Sequence, residues 1–181
     1  MRVSLFYLKP RRVAFIRACG PYALSSQKAW TEMFAWLTRN EVDIGGGFGY
    51  GLALDHADPV PPEKRRYDAC IELPDAFVPA KNDGLALQKL PGGAFARVRN
   101  VGHYEQVGGF ISKVRDQWLL SQDTLVVDNR RPLLVIYLDN PATQKGDKSR
   151  CDVCIPVRTH HNDAYERPTV IDSLPLSQPQ V

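Results

Sequence analysis

The chain lacks any apolar run long enough to cross a membrane, since none reaches about 18 residues and a spanning helix needs about 20. The N-terminal segment MRVSLFYLKPRR holds an apolar patch too short for a signal peptide and no small-residue cleavage site. Charge of one sign is also scarce, because the net charge is +3 and the basic clusters KPRR and EKRR are short. We therefore expect a cytoplasmic protein with no membrane partner and no direct nucleic-acid binding.

Cysteine is scarce, and its spacing argues against a metal centre. The four cysteines are Cys19, Cys70, Cys151 and Cys154, and they form a single C-x-x-C pair. That pair lies in a strand-like run, where its two side chains should point to opposite faces. A structural zinc site needs two such pairs, or one pair with histidines at the right spacing. We expect no metal and no cofactor, and thiols that behave as small buried hydrophobes.

Motifs of the common catalytic classes are absent. The sequence contains no G-x-S-x-G nucleophile elbow, no phosphate-binding P-loop and no credible spacing of a nucleophile and a base. No catalytic residue is assigned for this reason. Whether the protein is an enzyme stays open, with binding preferred over catalysis.

What the chain does contain is an internal repeat. AFIRACGPY at Ala14–Tyr22 matches ARVRNVGHY at Ala96–Tyr104, 82 positions later, and Trp36 matches Trp118 at the same spacing. LDHADP is echoed by LDNPAT, and DACI by DVCI, each 84 positions later. A nearly constant offset is typical of a duplication, whereas chance matches would scatter.

Each repeat predicts the element order β-α-β-β. The predicted strands are Val13–Ala18, Phe48–Asp55 and Tyr67–Leu73 in the first repeat, and Leu85–Leu90, Ala94–Val101, Leu133–Leu138 and Asp152–Val157 in the second. The first helix lies in SSQKAWTEMFAWLTRN, which presents four apolar residues at helical spacing, and the second runs from about Tyr104 to Ser121. The first repeat covers about residues 3–74 and the second about 85–157. Both belong to one domain of residues 1–158, and residues 159–181 form a polar C-terminal tail.

Two such units predict an α+β fold, a tandem β-α-β-β duplication with pseudo-two-fold symmetry. Antiparallel sheets would lie side by side with both long helices on one side, because a helix covers only one face of a sheet. A central groove would run along the symmetry axis, and grooves of this kind hold small molecules. The exposed edge strands of the half-sheets would also allow a homodimer.

Aromatic side chains are the candidates for lining this groove, with plain core packing as the alternative. Gly49 and Gly51 support a close approach there, because they interrupt a strand and their counterparts in the second repeat are Leu133 and Val135. The candidate ligand-binding residues are Trp30, Trp36, Phe48, Tyr50, Tyr104, Phe110, Trp118, Val135 and Tyr137.

Five segments, taken together in their order and spacing, resemble the GyrI-like family. They are VAFIRACGPY, PPEKRRYDACIELP, LPGGAFARVRNVGHY, RPLLVIYLDNP and CDVCIPV, all within residues 11–157. The resemblance implies a tandem β-α-β-β fold with a central ligand groove. It also implies the functions of the family, which includes a DNA gyrase inhibitor and the effector-binding domains of AraC-type and MerR-type drug-responsive regulators.

This chain departs from the family at one position that bears on the ligand. In the family, aromatic residues and one buried glutamate, two residues before a tyrosine, bind lipophilic cations. Here that tyrosine is Tyr137, so Val135 stands at the glutamate position. A buried carboxylate attracts a cation but destabilises the fold when unpaired, and valine removes both effects. We expect a neutral or weakly polar lipophilic ligand, unless Glu32, Glu72 or Glu105 supplies a carboxylate.

Three functions remain open. The first is a stand-alone protein that binds a lipophilic effector or drug; we expect no helix-turn-helix in front, since Met1 lies only a few residues before the first repeat. The second, implied by the resemblance, is inhibition or modulation of DNA gyrase through protein–protein contact. The third is hydrolysis of strained small molecules, for which the family uses the missing glutamate and this chain offers only histidines such as His103.

Overall fold

The structure, a computed structural model, describes residues 2–44, 49–56, 59–73, 77, 84–140 and 146–159. Of Glu105 only the backbone is described. This part of the chain forms two α-helices, α1 (Tyr22–Arg39) and α2 (Val107–Lys113). It also forms nine strands, which are β1 (Val3–Leu8), β2 (Arg11–Cys19), β3 (Tyr50–Ala53), β4 (Arg66–Ile71), β5 (Ala86–Leu90), β6 (Gly93–Val101), β7 (Leu125–Val127), β8 (Leu133–Tyr137) and β9 (Arg150–Thr159).

The strands pair antiparallel throughout. Eight of them follow the order β1-β6-β9-β8-β3-β4-β2-β5, and β7 pairs with β9. Strands β3 and β8 lie at the centre, each flanked by the strand that follows it in the chain. A large antiparallel sheet with two helices confirms the predicted α+β class. Strands β1 and β7 are additions, since the sequence analysis assigned no strand to either segment.

Strands β1 and β2 behave as one long bent strand. Leu8 pairs with Gly93, and three residues later Arg11 pairs with Leu90, so a single register runs through the β1–β6 and β2–β5 pairings. The bend lies where prolines interrupt both strands, at Pro10 and at Pro91. Proline lacks an amide donor, so ladder hydrogen bonding stops there and the ribbon can turn.

This bent ribbon forces the sheet to curl. Strands β1 and β2 are six places apart in the strand order, which in a flat sheet would separate them by about 29 Å. The chain between Leu8 and Arg11 can span at most about 11 Å. The sheet therefore bends round until its two edges approach each other, and its inner face is buried without help from a helix.

A hydrophobic core lies on each face of the sheet. The outer face packs against both helical segments, and side chains from α1 and from the region of α2 share this core with the strands. The inner face holds a second core, to which alternate residues of the same strands contribute. Cys151 belongs to the outer core and Cys154 to the inner one, which confirms that the two thiols point to opposite faces.

Helix α1 begins earlier than the sequence predicted and ends where it predicted. Its first residue is Tyr22, and the buried Ser25 lies in the first turn, where its hydroxyl donates to the Gly20 carbonyl at 3.3 Å. The last helical residue is Arg39, and Asn40 follows it as the C-cap. An apolar pattern marks the buried face of a helix but not the turn before it, so the start was placed too late.

The second helical segment, residues 104–121, is less regular than predicted. Only Val107–Lys113 is α-helical, between short 3-10 turns at either end, and a π turn spans Val114–Trp118. Gly108 and Gly109 lie in the α-helical part, and each destabilises a helix by about 1 kcal/mol relative to alanine. The prediction of two long helices is therefore corrected to one long helix and one broken segment.

Three kinds of contact recur in the two halves of the chain. A glycine amide donates to a carbonyl, an arginine pairs with an aspartate across neighbouring strands, and a second aspartate pairs with an arginine at the start of a strand. Every member of the second half lies 82 or 84 positions after its counterpart. The matched pairs are Gly20–Arg65 and Gly102–Ser149, Arg17–Asp68 and Arg99–Asp152, and Asp55–Arg66 and Asp139–Arg150.

Candidate functional site

Four aromatic side chains meet on the outer face of the sheet, between α1 and the second helical segment. We call Trp30, Tyr67, Tyr104 and Tyr137 the aromatic cluster. The Tyr137 ring lies edge-on to Trp30, at 5.0 Å between centroids, and edge-on to Tyr104, at 5.1 Å. The phenol oxygens of Tyr67 and Tyr137 are 2.9 Å apart, and Trp30 Nε1–H donates to Tyr67 Oη at 3.3 Å. Tyr137 thus forms a floor between two aromatic walls.

Gly49 and Gly51 make room for these rings. A Cβ added at Gly51 would overlap the Tyr67 hydroxyl and lie 3.2 Å from Tyr137 Cε2. A Cβ added at Gly49 would lie 2.9 Å from the Trp30 ring, and its φ of +106° is one that other residues rarely adopt. Protein atoms therefore approach both glycines closely: the Tyr67 hydroxyl at Gly51, and the Cys70 carbonyl oxygen and the Trp30 ring at Gly49. A role of the two glycines in lining a ligand groove stays a prediction.

Val135 lies directly opposite Gly51 in the β3–β8 pairing. Because strand side chains alternate, Val135 and Tyr137 point to the same face, and both belong to the outer core. Val135 is only 6% exposed. An apolar residue therefore occupies the centre of the sheet beside the aromatic cluster.

The phenols of the cluster are neutral at physiological pH. Burial raises the pKa of Tyr137 to about 12. Burial also raises the pKa of Tyr67 well above its usual value, and the neighbouring Tyr137 adds to this effect. Tyr104 shows a raised pKa from the same cause, and its hydroxyl donates to the Asp139 carbonyl at 3.2 Å. The centre of the site is thus polar but uncharged.

The predicted open groove is occupied, in this structure, by the aromatic cluster. Trp30 and Tyr67 are each 5% exposed and Tyr137 is 8% exposed. A cleft of about 400 Å³ opens beside them, and Phe34, whose ring stacks on Trp30 at 5.5 Å, joins the two. This volume is typical of small-molecule sites, which hold about 300–1,000 Å³. The cleft is lined by Phe34, Leu37, Thr38, Glu41, Val42, Asp43, Ile44 and Asn140.

Comparison with known proteins decides the family. The family model described as the GyrI-like small molecule binding domain matches residues 1–158. The chain belongs to the GyrI-like family. Among curated relatives, the DNA gyrase inhibitor of Serratia proteamaculans (strain 568) is 34% identical over 117 residues, which cover 60% of this chain and 72% of that protein.

Solved structures share this GyrI-like fold. EcmrR in a complex with DNA superposes with a TM-score of 0.66 at 14% identity over 87% of this chain, which spans 57% of the length of that protein. SAV2435, solved with bound tetraphenylphosphonium, superposes with a TM-score of 0.59 at 13% identity over 87% of this chain and 94% of that one. At such identities the likeness concerns the fold alone.

Of the nine predicted ligand-binding residues, four meet in this part of the GyrI-like fold. They are Trp30, Tyr104, Val135 and Tyr137. Two more, Phe110 and Trp118, are half-buried and pack against the outer core from the second helical segment. A ligand role for these six stays a prediction.

Three of the predicted residues do not join the cluster. Trp36 is 1% exposed and packs edge-on against Phe77 at 5.7 Å, so it belongs to the core beneath α1. Tyr50 lies in the inner core, where its hydroxyl donates to Glu72. Strand alternation sends Tyr50 away from the face on which Gly51 receives the rings. Phe48 lies outside the described residues.

Sequence reasoning missed Tyr67, the residue that links Trp30 to Tyr137 by hydrogen bonds. A signal was present, since Tyr67, Ala69 and Ile71 alternate along one face of β4 and that face is the one under α1.

Glu72 and Glu32, two of the glutamates suggested as substitutes for the missing carboxylate, lie away from the aromatic cluster. Glu72 accepts hydrogen bonds from Tyr50 and from Arg11, the latter at 2.7 Å, beside the inner core. Glu32 pairs at 4.0 Å with Lys28 on the exposed side of α1. The Glu105 side chain lies outside the described residues. His103, proposed for a hydrolase, is 54% exposed and lies 4.0 Å from Asp147.

The part of the chain described here shows no group of three or more His, Cys, Asp and Glu side chains that would hold a metal ion. Within the same residues, no helix is long and apolar enough to span a membrane.

Proposed function

We propose that this protein binds a lipophilic small molecule of low charge, which inserts between the Trp30 and Tyr104 rings above Tyr137. The observation that carries the proposal is an aromatic cluster resting on the bare backbone of Gly49 and Gly51. Flat apolar rings with a few convergent polar groups are the usual lining of small-molecule sites. The description of the family as a small molecule binding domain supports the same class of function.

The second helical segment is the wall that yields to a ligand. Val114 and Leu119 are the buried residues described in this segment, and none lies in α2 itself, whereas α1 buries six residues. A Cβ added at Gly108 or Gly109 would meet no described atom within 4 Å, so little packing restrains this wall. Segments with few buried apolar contacts open at low free energy. Outward movement of this segment with Tyr104 exposes the ring of Tyr137.

The described side chains at the centre of the aromatic cluster carry no charge, which supports a neutral ligand. Val135 carries no carboxylate, and the phenols beside it are neutral. A cation held against these rings would lose water without gaining an ionic partner, which is unfavourable in a buried site. A neutral lipophile loses far less on leaving water and gains the same apolar contacts.

We also infer that the two halves arose by duplication and share a pseudo-two-fold axis that passes between Gly51 and Val135. These residues are counterparts 84 positions apart, and they also pair with each other. A residue can pair with its own counterpart only at such an axis. The recurring arginine–aspartate and glycine–carbonyl contacts support the same inference. The proposed ligand site therefore lies on the axis, as a groove between two like halves would.

Binding is tested with Nile red, a neutral lipophilic dye, and tetraphenylphosphonium, a lipophilic cation. We expect saturable binding of one Nile red per chain and at least tenfold weaker binding of tetraphenylphosphonium. The variant Trp30→Ala should lose the dye, whereas Tyr7→Ala, at a residue 69% exposed on β1, should retain it. Circular dichroism shows whether each variant is folded. Absence of saturable binding of both probes, or full binding by folded Trp30→Ala, would overturn the proposal.

A second candidate function is inhibition of DNA gyrase through protein–protein contact. The observation that favours it is the similarity to a curated DNA gyrase inhibitor, at 34% identity over 72% of that protein. Purified protein is added to a gyrase supercoiling assay at micromolar excess. Inhibition is the expected result, and unchanged supercoiling at every concentration removes this candidate. Repeating the assay with Trp30→Ala shows whether inhibition depends on the aromatic cluster.

A further inference from the structure

The two phenols at the centre of the aromatic cluster have one more O–H donor than their described hydrogen bonds use. The Trp30 N–H donates to Tyr67 Oη, and the oxygens of Tyr67 and Tyr137 share one contact. One O···O contact holds one proton, so only one of the two phenols can donate to the other. Among the described residues, neither phenol has a hydrogen-bond partner beyond this network. One phenol O–H is therefore left without an acceptor among the residues that the structure describes.

This imbalance does not depend on which phenol donates. If Tyr67 donates to Tyr137, the Tyr137 proton has no acceptor, and if Tyr137 donates, the Tyr67 proton has none. Both side chains are more than nine-tenths buried, so water is largely kept from either oxygen. A buried donor without a partner destabilises a protein by about 1–3 kcal/mol. Buried polar groups of this kind call for an explanation, and a ligand that supplies the acceptor is one.

The neighbours of the cluster that the structure describes do not supply the acceptor. Val135, on the same face and two residues before Tyr137, is aliphatic. Gly51, opposite Val135, has no side chain. The Tyr104 hydroxyl is engaged with the Asp139 carbonyl. Burial raises the pKa of both phenols, so neither loses its proton near neutral pH and the surplus donor persists.

We propose that the ligand of this site is a neutral lipophilic molecule with a carbonyl-type oxygen, which accepts the surplus phenol proton of the Tyr67–Tyr137 pair. The inference rests on the proposed function, since it names the chemical class that the same site selects. Apolar contact with Trp30 and Tyr104 supplies affinity, and the single hydrogen bond fixes the orientation of the ligand. A hydrocarbon of equal shape leaves the donor unpaired and binds more weakly.

The test compares benzophenone, which has one carbonyl oxygen, with diphenylmethane, which has nearly the same shape and no acceptor. Dissociation constants for both are measured in wild type and in Trp30→Phe/Tyr67→Phe/Tyr137→Phe, which removes every donor of the network. The preference for benzophenone should be about tenfold larger in wild type than in the triple variant. Tyr7→Phe is the matched control, because it removes a phenol hydroxyl from a side chain 69% exposed on β1, outside the aromatic cluster, and it should keep the wild-type preference.

A measurement on wild-type protein covers the case in which the triple variant does not fold. Isotope-edited infrared spectroscopy of bound ¹³C-carbonyl benzophenone should show the carbonyl stretch at lower frequency than in hexane, as a hydrogen-bonded carbonyl does. Bound benzophenone with a hexane-like stretch, or an equal preference in wild type and folded triple variant, overturns the inference while small-molecule binding stands. Failure of both compounds, and of Nile red, to bind overturns the proposed function itself.

Discussion

Gly51 and Val135 face each other across the two central strands, and they are counterparts in the two repeats. Glycine has no side chain and valine has a branched apolar one, so the two sides of the sheet centre differ. On the Gly51 side the Tyr67 and Tyr137 rings rest on backbone, and on the other side Val135 fills the space. This pair of residues thus leaves room for aromatic rings on the Gly51 side of the sheet centre.

Gly51→Ala should destabilise the protein by about 1–3 kcal/mol, because the added methyl overlaps the Tyr67 hydroxyl in a packed core. Urea unfolding measures the change. Gly109→Ala is the control, since its Cβ would meet no described atom within 4 Å and alanine favours a helix. That variant should be unchanged or more stable by up to about 1 kcal/mol. Equal stability of Gly51→Ala and wild type would contradict the placement of the rings.

Val135→Glu should convert the site from neutral to cation-binding. Without a ligand the variant should be less stable by about 2 kcal/mol or more, because the carboxylate is buried without a cationic partner. With tetraphenylphosphonium, isothermal titration calorimetry should show at least tenfold tighter binding than in wild type. Val135→Gln has the same shape without the charge and should show no such gain. A gain of equal size in both variants would mean that charge is not the cause.

Arg131→Lys should destabilise the folded, curled sheet, although the substitution keeps the positive charge. The Arg131 guanidinium donates to the carbonyls of Gly92, Ala94 and Val157 at 2.9–3.2 Å and also pairs with Asp128 at 2.8 Å. A lysine cannot reproduce this fork, so we expect a loss of about 2 kcal/mol in the free energy of unfolding. Thermal and urea unfolding both report it.

The matched control for that substitution is Arg130→Lys. Arg130 also pairs with Asp128, at 3.1 Å, but its side chain is 55% exposed. Exposed ion pairs contribute little, so this variant should stay within about 0.5 kcal/mol of wild type. Similar losses in the free energy of unfolding for the two variants would show that Arg131 does not hold the β5–β6 hairpin to β9.

Stability should fall on acidification below about pH 4, and two aspartates should account for part of the fall. Hydrogen bonds from Arg66 lower the pKa of Asp55, and hydrogen bonds from Arg150 lower the pKa of Asp139. A carboxyl with a lowered pKa in the folded state stabilises the protein above its unfolded pKa, about 3.9 for aspartate, and the contribution disappears as pH falls through the folded value.

The measurement is the urea midpoint between pH 6 and pH 2. Asp55→Asn/Asp139→Asn should be less stable than wild type at pH 6 and should lose less stability on acidification. Asp116→Asn, at an exposed position of the second helical segment, is the control and should follow the wild-type curve. If the double variant loses as much stability on acidification as wild type, groups other than Asp55 and Asp139 cause the loss.

Local patterns in the sequence predicted much of the fold. Alternating and helical apolar spacing located α1, β2, β4, β6, β8 and β9, since each buries one face and therefore repeats with its own period. Strand β1 was not predicted, because its partner β6 lies about 90 residues away in the chain and a local apolar pattern does not indicate such a pairing. The broken second helix escaped because its apolar residues keep helical spacing while Gly108 and Gly109 weaken the backbone that carries them.

The candidate site was only partly predictable for a related reason. Residue type and repeat spacing singled out Trp30, Tyr104, Val135 and Tyr137, but they also selected Tyr50 and left out Tyr67, which has the same side chain. The face to which a strand residue points depends on register, and one residue of shift reverses it. Only the paired strands β3 and β4 fix Gly51 under the rings and turn Tyr50 to the inner core.

The amino-acid sequence by itself determined the antiparallel α+β class, the resemblance to the family and the valine two residues before Tyr137, because each depends on residue identity and spacing. Tertiary structure decided that the sheet curls, that the rings of Trp30, Tyr104 and Tyr137 meet on its outer face, and that the contact between the Tyr67 and Tyr137 oxygens uses only one of their two protons. These features depend on which distant residues touch, and contact between segments far apart in the chain follows from packing and hydrogen bonding in three dimensions.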